Sequence, residues 1–410
     1  MLYDDVVVLI PGFFGFGRLG DFFYFADRVS ATLRGALEAR IGRAVPVLSI
    51  ATEPAASLAA RQERLLAQLH QVDRLLQGPA RYHLVGHSAG GVDADLLTMS
   101  QPRSEGLTWA ACDPHGIRSR IRSITTISSP HYGTNLSNSP AVKFVNEPLK
   151  HRDGATQAGG LVVSLLLLVA QRSLTLDALA GVKQSGTATG EFLKHLVRDR
   201  DLLRDLQTDR MEELRATAVR ELFPQIVTFA TCVPTQPVLF EDVPRSSDRF
   251  FAQLHAITAR DAPSSAATQD ALQILARSSS LVVRNPKAHL GTLDAASSDG
   301  VVNAARQILL PSSRDKLSAP AGSAEPIFGG CIVADHADVI GHYDRHDPLS
   351  PGGDGKPQPI NDGFFRSGAG FGDDQFFKLY ERVADWVARA ARTDDQPGRR
   401  PPVLGLPMHH

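Results

Sequence analysis

Cysteine is scarce in this chain of 410 residues: it has 3, at Cys112, Cys232 and Cys331. So odd and sparse a set excludes a disulfide framework, and no C-x-x-C spacing exists to suggest a metal or redox motif. An excess of one charge is missing too. With 43 Lys and Arg against 44 Asp and Glu, nothing suggests a nucleic-acid surface or a polybasic membrane anchor. No apolar run reaches the roughly 20 residues of a membrane span, and no internal repeat is visible. A signal peptide is absent as well: Met1-Leu2-Tyr3-Asp4-Asp5 is acidic, with neither a basic region nor a cleavage site. The expectation is a cytoplasmic protein, or a secreted one whose leader has been removed.

What is present reads as strands alternating with helices. Val6 to Ile10 is a continuous apolar run, as expected of a strand buried on both faces of a parallel sheet. A helical stretch from about Phe22 to Ile41 follows, then a strand from Val45 to Ile50. Leu58, Leu65, Leu66, Leu69, Val72 and Leu76 share one helical face, which Gly78-Pro79 closes. Further strands are expected at Arg81 to Val85, Ile121 to Ile127, Gln225 to Ala230 and Ile327 to Val333, and a closing amphipathic helix at Phe376 to Ala391. This spacing implies an α/β fold, a mostly parallel doubly wound sheet with inserted segments.

The pattern breaks between Pro130 and Pro224. Leu161 to Ala170, after Gly159-Gly160, is apolar on nearly every face, and two readings stay open. It is either a buried core helix or a lid that covers a site, with Leu165 and Leu168 toward substrate. The charged stretch from Glu191 to Leu222 reads as a solvated face with local ion pairs. Ser318 to Pro326 and Asp347 to Pro359 read as surface loops, and Asp261 to Ser280 as a small insertion. The domain reading is therefore a core over 1–135 and 224–395, a helical lid or cap insertion over 136–223 and a tail over 396–410.

One motif carries chemistry. Gly86-His87-Ser88-Ala89-Gly90 reads G-x-S-x-G between a strand and a helix, the elbow that lifts a serine hydroxyl above a sheet edge. A serine is a poor nucleophile unaided, so Ser88 calls for a base, an acid to orient that base and an oxyanion site. In such sites the acid follows the serine in the chain and the base comes last. The acid candidate is Asp299, in the small turn Ser298-Asp299-Gly300, with Asp270 and Asp294 as rivals. The base candidate is His336, just past a strand end, with His342 and His346 as rivals. His87 is read as a neighbour of the nucleophile that does not itself react. Oxyanion donors are expected at the backbone N–H groups of Ala89 and Phe13. Phe13, Phe14 and Phe16 either line an apolar mouth or pack into the core.

These motifs resemble those of the bacterial true-lipase family of α/β-hydrolases. The resemblance rests on the Pro11-Gly12-Phe13 loop, the elbow, Thr126-Ile127-Ser128-Ser129-Pro130-His131-Tyr132-Gly133-Thr134, the aliphatic run, Ser298-Asp299-Gly300-Val301-Val302 and Asp335-His336-Ala337-Asp338. It implies Ser88, Asp299 and His336 as a triad that hydrolyses acyl esters of lipids through an acyl-enzyme. It implies no cofactor for that chemistry, and a lid that meets the lipid interface. The family often holds a structural calcium between two aspartates. Asp338 matches one of them, and Asp270, in a looser context, is the candidate for the other. Some relatives carry a disulfide from a position near Cys232 to one soon after the catalytic aspartate; Asn303-Ala304-Ala305 stands there instead, so that bridge is not expected. Pro11 replaces a usual histidine, which a backbone oxyanion hole tolerates. An acyltransferase, an intracellular polyester depolymerase and a non-catalytic lipid-binding protein remain alternatives, and the oligomeric state is not legible.

Overall fold

Alternation along one strand decides how the core divides. In the computed structural model, β1 (Asp5–Ile10) is buried at every position. Val7 and Leu9 join one apolar cluster, and Val6, Val8 and Ile10 join another on the opposite face of the sheet. That is why the run shows no polar alternation: both faces are covered. The structure describes residues 4–13, 15, 18–19, 22–100, 109–138, 201–233, 254–259, 265–277, 293–343, 345–351, 357–360 and 369–394.

Among these residues the chain runs β1, α1 (Asp27–Ile41), β2 (Val47–Ser49), α2 (Leu58–Leu76), β3 (Arg81–His87), α3 (Ala89–Leu96), β4 (Ile121–Ile127), α4 (Thr208–Thr217), β5 (Gln225–Cys232), α5 (Ala266–Arg277), β6 (Ile327–Val333) and α6 (Asp373–Asp394). The described strands of the main sheet are ordered β2-β1-β3-β4-β5-β6, and every neighbouring pair is parallel. Helices α1 and α6 cover the face that holds Val7 and Leu9, and α2 covers the other. Parallel pairing brings the C-terminal strand ends to one edge: Ile10 pairs with Gly86, His87 with Ile127, and Cys232 with Val333. Loops that leave this edge face a common crevice.

Local chemistry shifts several expected boundaries. α1 starts at Asp27, not near Phe22, because Phe22–Phe23 pairs antiparallel with Arg18–Leu19 and Tyr24 and Phe25 turn into the core. Asp27 then sits in the first turn, where the helix dipole favours an acid. The left-handed residue that ends α2 is Gln77 rather than Gly78. Within Asp347 to Pro359, Arg345–Pro351 and Pro357–Ile360 pair as an antiparallel ribbon. Leu161 to Ala170, including Leu165 and Leu168, lies outside the described residues.

The charged stretch after residue 200 is only partly a solvated face. Arg204 and Asp201 do form an exposed i,i+3 pair. Arg215 and Arg220, however, are buried on Asp95 of α3, with Arg220 Nη1 2.9 Å from Asp95 Oδ1 and Arg215 Nη1 on Oδ2. Arg215 Nε also donates to the His131 carbonyl at 3.0 Å. Burial pushes the Asp95 carboxyl up, but Arg215 and Arg220 more than offset this and hold it far below the usual range. Burial, helped by Arg215, lowers His131 to about 3, so its ring is neutral at neutral pH. The C-terminal part of the expected insertion, within 201–223, is thus fastened to the elbow helix by buried charge. Removing one partner of such a cluster strands the others and costs about 3–5 kcal/mol. Asp95→Ala should lose that much in urea denaturation; a loss below about 1 kcal/mol would show that Asp95 does not hold the segment.

Candidate active site

The turn at Ser88 is strained, and Ser128 past the next strand shares its positive φ. Ser88 has φ 56° and ψ −132°, a region that costs a non-glycine residue on the order of 1–3 kcal/mol. Two backbone bonds hold it there, Ser88 N to the Ile127 carbonyl at 2.9 Å and Gly91 N to the Ser88 carbonyl at 3.0 Å. The flanking glycines serve close approach. A Cβ on Gly86 would lie 2.4 Å from Gly91 N, and one on Gly90 would lie 2.3 Å from the Ile10 carbonyl oxygen. Strand and helix therefore meet with no room for side chains between them.

Facing Ser88 is the Pro11-Gly12-Phe13 loop. A Cβ on Gly12 would lie 2.6 Å from Ser88 Cβ. Arg61, fully buried, clamps this loop: Nη2 donates to the Pro11 carbonyl at 3.0 Å and the Gly12 carbonyl at 3.1 Å. Nη2 is also 2.7 Å from Asp93 of α3. No peptide among the described residues is cis, so turning the Gly12 carbonyl toward Arg61 turns the Phe13 N–H the opposite way. The Ala89 N–H, first of α3, belongs to the turn a helix cannot pair internally. The Phe13 ring packs against the core; Phe14 and Phe16 lie outside the described residues.

Asp299 and His336 meet on the same edge. His336 Nδ1 is 2.7 Å from Asp299 Oδ2, and the His336 N–H donates to the Asp299 carbonyl at 3.1 Å. Asp299 is fully buried and well supplied with donors. Thr231 Oγ1 reaches Oδ2 at 2.7 Å, and the Val301 and Val302 N–H groups reach Oδ1 at 2.9 and 2.8 Å. With the Thr231 proton directed to Asp299, Ser128 Oγ, 2.7 Å away, donates to Thr231. Burial pushes the Asp299 carboxyl up, but His336 and these donors outweigh it and leave it below the ordinary carboxylate range. His255 straps the two loops together from outside. Its Nδ1 is 2.9 Å from Ser298 Oγ and its Nε2 3.5 Å from Asp335 Oδ1, each one residue before Asp299 or His336.

The rivals are engaged elsewhere. Asp294 accepts from Ala296 N and Ser297 N in its own turn. His342 Nε2 bonds the Phe23 and Tyr24 carbonyls, both at 3.0 Å. The His346 side chain lies outside what is described. Asp270 is exposed on α5, where it borders a separate cavity of about 410 Å³ with Met99, Tyr132 and Glu212. Asp338 is buried beneath His336, and its Oδ2 accepts the Asp335 N–H at 2.8 Å. Calcium takes about six to eight oxygens, and among the described residues no three acidic, histidine or cysteine side chains cluster to hold a metal. Cys232 is a free thiol with its Sγ 3.3 Å from that of Cys331.

Thr231, Ser128, Gln307 and Arg61 escaped the reading of the sequence. Gln307 Nε2 reaches Asp299 Oδ2 at 3.3 Å. Arg61 left a trace, since it breaks the apolar stripe of α2 one turn after Leu58. A charge on a core face marks a buried partner.

Comparison with known proteins agrees with this architecture. The chain is similar to lipase 1 from Pelosinus fermentans, with a TM-score of 0.52 and 16% identity over 95% of this chain and 99% of that one. This is an α/β-hydrolase fold. A triacylglycerol lipase of Pseudomonas fragi is 30% identical over 176 residues, 43% of this chain and 47% of the relative. The chain thus aligns with about half the length of the curated relative it matches. No protein-family model matches it, and no described helix is long and apolar enough to cross a membrane.

The α/β-hydrolase core makes one prediction at Asp299. Its carboxyl is depressed in the folded state, so the stability it contributes is present above the unfolded pKa of about 3.9 and lost as pH falls through the lower folded value. The stability gap between wild type and Asp299→Asn should be full at about pH 6 and shrink below about pH 4. Denaturant titrations at both pH values measure it; a gap that widens in acid contradicts the depressed pKa.

Proposed function

We propose that this chain is a serine carboxylester hydrolase of lipase type. The observation that carries the reading is the 2.7 Å contact between His336 Nδ1 and the buried Asp299, on the sheet edge that also presents the strained Ser88. In this reading Ser88 Oγ attacks the ester carbonyl while His336 Nε2 takes its proton. Asp299 keeps the Nδ1 proton in place and stabilises the imidazolium. The Ala89 and Phe13 N–H groups donate to the developing oxyanion. The C–O bond to the alcohol breaks as His336 returns the proton, leaving an acyl group on Ser88. Water, deprotonated by the same histidine, then releases the carboxylic acid.

The Pseudomonas fragi relative, named a triacylglycerol lipase, supports a lipid acyl ester as substrate. The aliphatic run of the insertion over 136–223 would cover the mouth and meet the lipid interface as it opens, with Leu165 and Leu168 toward the acyl chain. Calcium has no part in the chemistry proposed.

Hydrolysis of nitrophenyl esters of increasing acyl length tests the reading. Activity should rise toward long chains, and Ser88→Ala should lose on the order of 10⁶-fold in kcat with an unchanged thermal midpoint. Retained turnover in Ser88→Ala would overturn the proposal, and activity confined to short chains would reduce it to a small-ester esterase.

A further inference from the structure

Behind His336 runs a chain of buried polar groups that the proposed chemistry does not use. His87, between Gly86 and Ser88, puts Nε2 2.9 Å from the His336 carbonyl oxygen. A carbonyl only accepts, so Nε2 carries the proton and Nδ1 is the lone pair. Tyr24 Oη lies 2.7 Å from Nδ1 and therefore donates. The same phenol oxygen is packed against Gly12, 2.5 Å from where a Cβ on that residue would stand, on the loop that faces Ser88. Both hydrogens in this chain have a fixed direction, from Tyr24 through His87 to His336, and Tyr24 itself rests on Gly12.

The setting keeps the chain neutral. Tyr24 and His87 are 4% and 1% exposed. Burial, together with the facing imidazoles of His336 and His342, holds His87 well below its ordinary pKa. Burial likewise raises the Tyr24 hydroxyl, against the pull of the Gly12 backbone and Arg61. The His87 and His336 rings are 4.7 Å apart, so a charged His87 would oppose an imidazolium on His336.

We propose that Tyr24 and His87 are positioning residues that lock the backbone of His336 to the Gly12 loop, so that proton acceptor and oxyanion donors keep one geometry. The proposal rests on the hydrolase reading for its kinetic consequence, and on geometry alone for the tautomer of His87. Displacing a catalytic group by a fraction of an ångström slows chemistry with little effect on binding.

Two measurements test it. In ¹⁵N-histidine NMR, His87 should stay neutral and Nε2-protonated from about pH 5 to 8, and Tyr24→Phe should shift the Nδ1 resonance as it loses its donor while Nε2 keeps the proton. In ester hydrolysis, Tyr24→Phe and His87→Leu should each lower kcat about 10-fold with KM within about twofold. The double variant should fall no further, because both break one chain. His87→Gln, whose amide can still donate to the His336 carbonyl, should recover most of what His87→Leu loses, and it keeps the test open if the leucine variant does not fold. A wild-type His87 that titrates near pH 6.5, losses that multiply in the double variant, or losses confined to KM would overturn the proposal. If wild type hydrolyses no ester, the hydrolase reading fails, while the NMR arm still decides the proposed lock.

Discussion

The rest of the site depends on how closely β3 and α3 approach at Ser88. Helix and strand meet where Gly86 and Gly90 have backbone atoms within 2.5 Å of where a side chain would begin, and that closeness forces Ser88 into left-handed backbone. A residue so strained persists only where its surroundings over-determine it. Here the surroundings are the β4 edge, which receives the Ser88 N–H, and the Gly12 loop pressed against the serine from the other side. Move either of them and the hydroxyl no longer stands where the loops converge.

Buried charge fixes those surroundings with direction as well as attraction. Arg61 binds Asp93 on α3 and the Pro11 and Gly12 carbonyls together, so one guanidinium sets the distance between elbow helix and loop. Asp95, two residues further along the same helix, holds Arg215 and Arg220 from the C-terminal part of the insertion. Buried ion pairs contribute little net stability compared with apolar packing. Their value here is geometric, since each planar guanidinium accepts its partners only from set directions. A leucine at 61 would fill the space and leave the loop carbonyls unaimed.

Much of the frame was legible before any coordinates. Val6 to Ile10 is a strand because an unbroken apolar run of that length suits a sheet covered on both faces, while Ile121 to Ile127 and Ile327 to Val333 show it by β-branched and apolar residues in the alternation of strands and helices. Asp299 and His336 stood out by their places, one in a glycine turn and the other past a strand end. What escaped notice depended on tertiary contact. Nothing in Arg210 to Arg220 distinguishes the exposed charges from the two that dive onto Asp95. Thr231 looks like any strand threonine until Asp299 arrives beside it from 68 residues away. The early start assigned to α1 failed because Phe22 and Phe23 found a strand partner, which no helical periodicity forecasts. The expected calcium came from resemblance rather than from a donor set legible in the sequence.

The central claim is that Ser88 is a nucleophile activated by His336 and Asp299. A fluorophosphonate reports this without any assumption about substrate, because it phosphonylates a serine only where base and oxyanion donors are assembled. Mass spectrometry of the intact protein after reaction, followed by peptide mapping, should show one adduct, on the peptide that carries Ser88, and none when His336 is replaced by alanine. An unmodified protein, or an adduct on another residue, would contradict the account.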